Sequence, residues 1–131
     1  MIGLDTNVVV RYIMQDDVKQ AKLASKLVES LTADEPGFIP IVALVELTWV
    51  LSSAYGLDRK QVAATMEILL RTIEIQVENA EVVWQAVRLY RTSNADFSDC
   101  LIERSANAKG CTHTMTFDRG AVKTCSMILI A

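Results

Sequence analysis

No stretch of this sequence approaches the roughly 18 uncharged apolar residues of a membrane span. The opening MIGLD has no basic segment followed by an apolar one, so no signal peptide is expected. Cysteine is scarce and odd in number: Cys100, Cys111 and Cys125 lack the CxxC spacing of a zinc or redox motif. They read as reduced thiols of a cytoplasmic protein. Cys111, His113 and Cys125 could hold a metal, but so few ligands suit small buried side chains better. No internal repeat, low-complexity tract or linker interrupts the chain. A membrane-spanning helix, a disulfide framework and a repeat architecture are thereby not expected.

What is present is enough for a core. A chain of 131 residues suits one compact domain, 1–131. Apolar residues make up 51% and charged ones 22%, which argues against disorder.

Residues 1–5 form a short apolar run ending in Asp5, and Asn7 to Met14 is a mostly apolar candidate helix. Asp16 or Asp17 can cap the next helix, in which Ala21, Ala24, Val28 and Leu31 recur at helical spacing. TADEPG reads as a turn and Gly37 to Ile39 as a strand. A helix is expected from Ile41 to Ser53, stopped by Gly56, and another from Arg59 to Thr72 after Asp58. The latter would bury Val62, Met66, Leu69 and Leu70. Glu74 to Val77 alternates as a strand does. Asn79 should cap a helix to about Arg91, with Val83, Ala86, Val87 and Tyr90 inward. SNADFSD is a polar break, and a helix then runs from about Ser98 to Lys109, stopping at Gly110. Residues 112–117 read as a strand, 118–120 as a turn and Met127 to Ile130 as a last strand. Strands alternating with helices predict an α/β fold: a parallel sheet with helices on both faces and right-handed crossovers.

In such sheets, sites form outside the carboxyl ends of the strands. Asp5 ends the first strand and Asp118 follows the fourth, while Asp96 and Asp99 begin the helix leading into that strand. Each has an ordinary alternative. Asp5 could cap the helix after it, Asp96 and Asp99 suit a positive helix end, and Asp118 in DRG could be a turn residue. Glu46, in VALVELTWVL, is harder to dismiss. Its neighbours on the helix face are Val42, Ala43, Trp49 and Val50, and Thr48 lies about 200° away around the helix. It therefore reads as a charge among apolar residues, which needs either a wet edge or a cation.

Clustered carboxylates repel by about 3 kcal/mol per pair at about 5 Å and an effective dielectric near 20. Arg11 and Arg119 are the nearby basic side chains, too few for five acids. An all-oxygen donor set suits a hard cation such as Mg²⁺ or Mn²⁺, whose usual work is on phosphate oxygens and water. Thirteen basic against sixteen acidic side chains give a net charge of −3. With Asp5, Glu46, Asp96, Asp99 and Asp118 set aside as metal ligands, thirteen face eleven, a surplus of two positive charges. A phosphate-bearing substrate is then no longer disfavoured.

LDTNVVVRY, VELTWVL, ADFSDCLIE and TFDRGA stand in the order and spacing of PIN-domain ribonucleases. The chain most resembles the VapC-type toxins of toxin–antitoxin pairs, over nearly its whole length. The resemblance implies a five-stranded parallel sheet in order 3-2-1-4-5, flanked by helices. It implies Mg²⁺- or Mn²⁺-dependent endonucleolytic cleavage of RNA, neutralisation by a cognate antitoxin, a homodimer and a cytoplasmic location. Asp5, Glu46, Asp99 and Asp118 match the four acids in turn, and Asp118 falls at the least uniform of the four positions. Asp5 and Asp99 would hold the metal, Asp118 would assist, and Glu46 would orient the attacking water. Asp96 matches an accessory acid, and Asn7 and Thr116 match supporting polar positions. Arg11 and Arg119 are the candidates for substrate contact.

A phospho-receiver module has similar length and architecture, but it needs paired acids after the first strand and a lysine after the fifth; Asp5 stands alone. A dehalogenase-type phosphatase wants DxD, where Asn7 stands here. A catalytically silent copy acting only as an interaction protein is a third alternative, against which the complete acid set argues.

Overall fold

A computed structural model describes residues 1–130. The chain forms two compact units, Met1–Asp58 with Ile68–Glu78, and Arg59–Glu67 with Asn79–Ala131.

In the first unit three short strands pair in parallel in the order β1-β2-β3: β1 (Ile2–Gly3), β2 (Gly37–Ile39) and β3 (Ile75–Val77). Ile2 pairs with Gly37, and Gly37 with Ile75. Gly37 packs closely: a Cβ there would stand 2.8 Å from Leu4 Cδ1 and 2.9 Å from Leu31 Cδ1, so both leucine side chains would have to move. Helix α1 (Thr6–Met14) ends where Gln15 turns left-handed, at φ 54°. Helix α2 (Val18–Ser30) is capped by Asp17, not Asp16: Asp17 Oδ1 accepts the Gln20 N–H at 2.9 Å. Ala21, Ala24 and Leu31 are buried there, while Val28 is only partly covered. Helix α3 (Ile41–Ser53) has the expected bounds and buries Leu44, Leu47, Thr48 and Leu51. Gly56, at φ 66°, supplies the left-handed residue beyond it that a side chain would strain. Helix α1 packs against both α2 and α3.

Helix α4 (Arg59–Arg71) gives its first nine residues to the second unit and its last turn to the first. Val62, Met66 and Leu69 are buried, but Leu70 is only partly so. In the second unit α5 (Ala80–Thr92) packs against α6 (Phe97–Ala108), and α6 against α7 (Arg119–Cys125). Val83, Ala86, Val87 and Tyr90 are buried as expected. Asn79 precedes α5, but its backbone is left-handed and its side chain makes no capping bond. Helix α6 closes as a Schellman motif, with Gly110 at φ 92° and the Cys111 N–H on the Ala106 carbonyl at 3.1 Å. Cys100 and Cys125 are buried and Cys111 is exposed.

Three expectations need correction. The strand at 112–117 shrinks to β4 (Met115–Thr116), paired in parallel with β5 (Ile128–Leu129). The turn at 118–120 instead opens α7, whose seven residues are too few for a helical repeat to show in the sequence. The hydrogen-bonded order is β1-β2-β3 in one sheet and β4-β5 in another, not one five-stranded sheet in order 3-2-1-4-5. The first strand is bound to the second segment through the Ile2 N–H on the Pro36 carbonyl and the Leu4 N–H on the Phe38 carbonyl, and strands of two residues have few ladder groups beyond these. Among the described residues, no helix is long and apolar enough to cross a membrane.

Candidate active site

In the first unit Asp5 follows β1 and caps α1, its Oδ1 accepting the Thr6 N–H at 2.8 Å. Thr6 is buried, and its hydroxyl donates to the Ala43 carbonyl at 3.5 Å, tying α1 to α3. Glu46 lies one helical turn beyond Ala43. Asp5, Thr6, Pro40, Val42, Ala43 and Glu46 line one open hollow of about 360 Å³. The two acids thus share a wall of the same hollow.

Glu46 is not the buried charge that VALVELTWVL suggested. It is exposed, as are Val42 at 76% and Trp49 at 68%, whereas Thr48 is buried at 7%. The wet edge is the correct explanation, and the need for a cation to rescue a buried Glu46 falls away. The physical reason lies in Thr48. Its hydroxyl donates to the Val45 carbonyl at 2.7 Å, so it enters the core with its hydrogen bond made within the helix. A helix apolar on nearly every side gives no periodic signal of which side faces inward.

Helix α3 begins at Pro40, which offers no side-chain cap. Glu78, just past β3, substitutes: its Oε1 accepts the Ile41 N–H at 2.8 Å. Sequence reasoning missed this residue, because the partner is 37 positions away.

In the second unit Asp96 stands at the N-terminus of α6 without a side-chain capping bond, and Asp99 sits in the first turn. Asp118 caps α7, its Oδ1 accepting the Gly120 N–H at 2.8 Å. The Thr116 hydroxyl accepts the Asp118 N–H at 3.0 Å and holds that turn. Partial burial, and then the charges of Asp96 and Asp118, hold the Asp99 carboxyl above the ordinary aspartate range. The positive end of α6 favours the charged form there, yet burial and the two neighbouring acids prevail.

The sequence-derived basic candidates are placed differently. Arg11 is engaged within its own unit, Nε donating to Gln20 Oε1 at 2.7 Å and Nη1 to the Tyr55 hydroxyl at 2.9 Å. An Asp16 carboxylate oxygen lies 3.3 Å from the same Nη1. Asn7 and Arg11 line a second hollow, between α1 and α2 with Leu23 and Leu27, not the one holding Asp5 and Glu46. Arg119 is exposed at the start of α7.

Among the described residues no three His, Cys, Asp or Glu side chains form a ready-made metal group. Of the three side chains Cys111, His113 and Cys125, Cys125 is buried while Cys111 and His113 are exposed. The carboxylates fit a hard divalent ion by their chemistry: oxygen donors only, with Asp96 and Asp118 near enough to raise the Asp99 carboxyl.

A second residue that sequence reasoning passed over is Arg59. Its guanidinium donates to the Tyr90 carbonyl at 2.8 Å and to the Ala95 carbonyl at 2.7 Å. It also lies 4.0 Å from the centroid of the Tyr90 ring.

Comparison with known proteins agrees with the motif order. Residues 2–126 match the family model of the PIN domain. The chain is 25% identical over 116 residues to a VapC ribonuclease of Aquifex aeolicus (strain VF5), covering 88% of this chain and 86% of that protein. With the match running over nearly its whole length, the chain belongs to the PIN-domain family.

Proposed function

We propose that this protein, acting as one PIN domain over residues 1–131, is a metal-dependent endoribonuclease toxin held in check by a cognate antitoxin. The observation that carries the site is the placement of three acids in the second unit, Asp96 at the start of α6, Asp99 in its first turn and Asp118 capping α7, close enough that Asp96 and Asp118 raise the Asp99 carboxyl. A carboxylate so crowded gains most from a cation. The VapC ribonuclease relative supports RNA as the substrate.

In this reading Asp5 and Asp99 hold Mg²⁺ or Mn²⁺, Asp118 assists, and Asp96 adds negative charge beside Asp99. When bound, the ion polarises a phosphate oxygen and lowers the pKa of water. Glu46, exposed in its hollow beside Asp5, accepts a hydrogen bond from the attacking water and orients it toward phosphorus. Thr116 keeps Asp118 in place through its backbone N–H. Arg119 meets the substrate phosphate. Arg11, already engaged by Tyr55 and Gln20, contributes to binding only if RNA displaces those partners.

The antitoxin's place is the hollow between α1 and α2, where Leu23 is 61% exposed beside Leu27 and Arg11. An apolar segment fits that lining, with basic side chains of the antitoxin reaching the acidic site. A homodimer and a cytoplasmic location complete the proposal.

The test is titration of Mg²⁺ and Mn²⁺ with pooled RNAs, transfer RNAs included. Cleavage is expected with metal and absent with chelator. Asp5→Asn and Asp99→Asn should each abolish cleavage while the circular-dichroism spectrum stays unchanged. Undiminished cleavage by either purified variant would overturn the site assignment.

A further inference from the structure

We infer that Arg59 is a positioning residue for the metal-holding carboxylates of α6; the inference rests on the carboxylate reading above. Only residues 93–96 separate the end of α5 from the start of α6. This short crossing must deliver Asp96 and Asp99 in a fixed direction. One side chain spans it. The Arg59 guanidinium binds the Tyr90 carbonyl in the last turns of α5 and the Ala95 carbonyl immediately before Asp96.

Tyr90 links the same group to α6. Its ring takes the guanidinium on one face, and its centroid stands 5.8 Å from that of Phe97, the planes at 82°. Phe97 is the first residue of α6. Ala95 and Phe97 are both buried, so the backbone is anchored on each side of Asp96 while that residue stays exposed. Ser93 tightens the crossing by accepting the Ala95 N–H at 3.3 Å. The direction in which α6 leaves the crossing sets where the Asp99 carboxylate, in the first turn of that helix, points.

The chemistry selects arginine. Two carbonyls and a ring face are served together by a planar group with donors in a fixed fork. A lysine has the charge but neither the plane nor the fork. Groups bonded directly to metal ligands typically change metal affinity about 10–100-fold when altered, and Arg59, which reaches the ligands through the backbone, should act at the low end of that range. An arginine that merely satisfies two carbonyls would change stability alone.

The experiment measures Mn²⁺ binding to the full chain by calorimetry and by electron paramagnetic resonance of the free ion. Parent, Arg59→Gln, Arg59→Lys and Asp99→Asn are compared, each well below its own melting temperature. Loss of binding in Asp99→Asn is expected. Both Arg59 variants should bind Mn²⁺ about tenfold or more weakly, and RNA cleavage should fall in kcat more than in KM. If Arg59→Gln fails to fold, Arg59→Lys and Tyr90→Leu carry the comparison. Lower melting temperatures with parental Mn²⁺ affinity would reduce Arg59 to a structural role and overturn the inference. A parent that binds no Mn²⁺, or an Asp99→Asn that binds it like the parent, would instead overturn the carboxylate reading itself.

Discussion

Glu78 Oε1 accepts the Ile41 N–H at 2.8 Å, so a carboxylate just past β3 caps the helix that carries Glu46. The negative charge also meets the positive end of α3. Glu78→Ala should cost about 1 kcal/mol, the usual loss of a helix cap. For a chain of this size that is about 3–5 °C in melting temperature. Glu78→Gln keeps an acceptor oxygen and should lose less. Thermal melts of the three proteins decide the matter; an alanine variant as stable as the parent would remove Glu78 from this role.

Glu46→Gln should weaken cleavage at least tenfold, about 1.4 kcal/mol of transition-state stabilisation. Stability in metal-free buffer should stay within about 0.5 kcal/mol of the parent, as for most exposed positions. None of the ion pairs among the described residues involves Glu46. A clearly lower melting temperature without metal would mean that the carboxylate holds the fold together.

The Asp99 carboxyl, raised by partial burial and then by Asp96 and Asp118, makes metal-free stability depend on pH in a defined sense. Folding disfavours its charged form. Its contribution is fully present below the ordinary aspartate pKa and is lost as pH rises through the higher folded value. The parent should therefore lose stability relative to Asp99→Asn across that window and hold a constant deficit above it. Denaturant melts of both proteins from pH 3 to pH 8, without metal, provide the difference curve. A flat curve, or one of opposite slope, refutes the assignment.

Asp16 behaves in the opposite way. A hydrogen bond from the Tyr55 hydroxyl, at 2.7 Å, is the main cause holding its carboxyl below the usual range. Its contribution is present above the ordinary aspartate pKa and is lost as pH falls through the depressed value. Tyr55→Phe should return the Asp16 carboxyl toward its ordinary range, measured by carbon-detected NMR titration. The same variant frees one Arg11 N–H. An Asp16 titration unmoved by the substitution would assign its shift to Arg11 instead.

Local punctuation was legible in the sequence. Pro40 and Gly56 bracket α3, whose bounds Ile41–Ser53 follow from them. Gly110 ends α6 through its left-handed backbone. Illegible were features that depend on distant partners or on very short elements. Arg59 meets carbonyls 31 and 36 residues away. Helix α7 has seven residues and starts at DRG, which local rules read as a turn. Strand pairing in two-residue segments follows from the fold and not from alternation. The candidate acids were found by type and position near strand ends, but exposure was not: VALVELTWVL offers no polar stripe, and its one hydroxyl faces inward.

The solvent-facing placement of Glu46 separates the proposed chemistry of the chain from its folding. The core of α3 is made by Leu44, Leu47, Thr48 and Leu51, none of which depends on the acid. If Glu46 orients the attacking water as proposed, a single base change at codon 46 would disarm the protein while leaving an intact fold and the α1–α2 surface. Silent relatives that still compete for a neutralising partner would be easy to generate by drift. Within one lineage, armed and disarmed copies should differ at such exposed acids before they differ in the core.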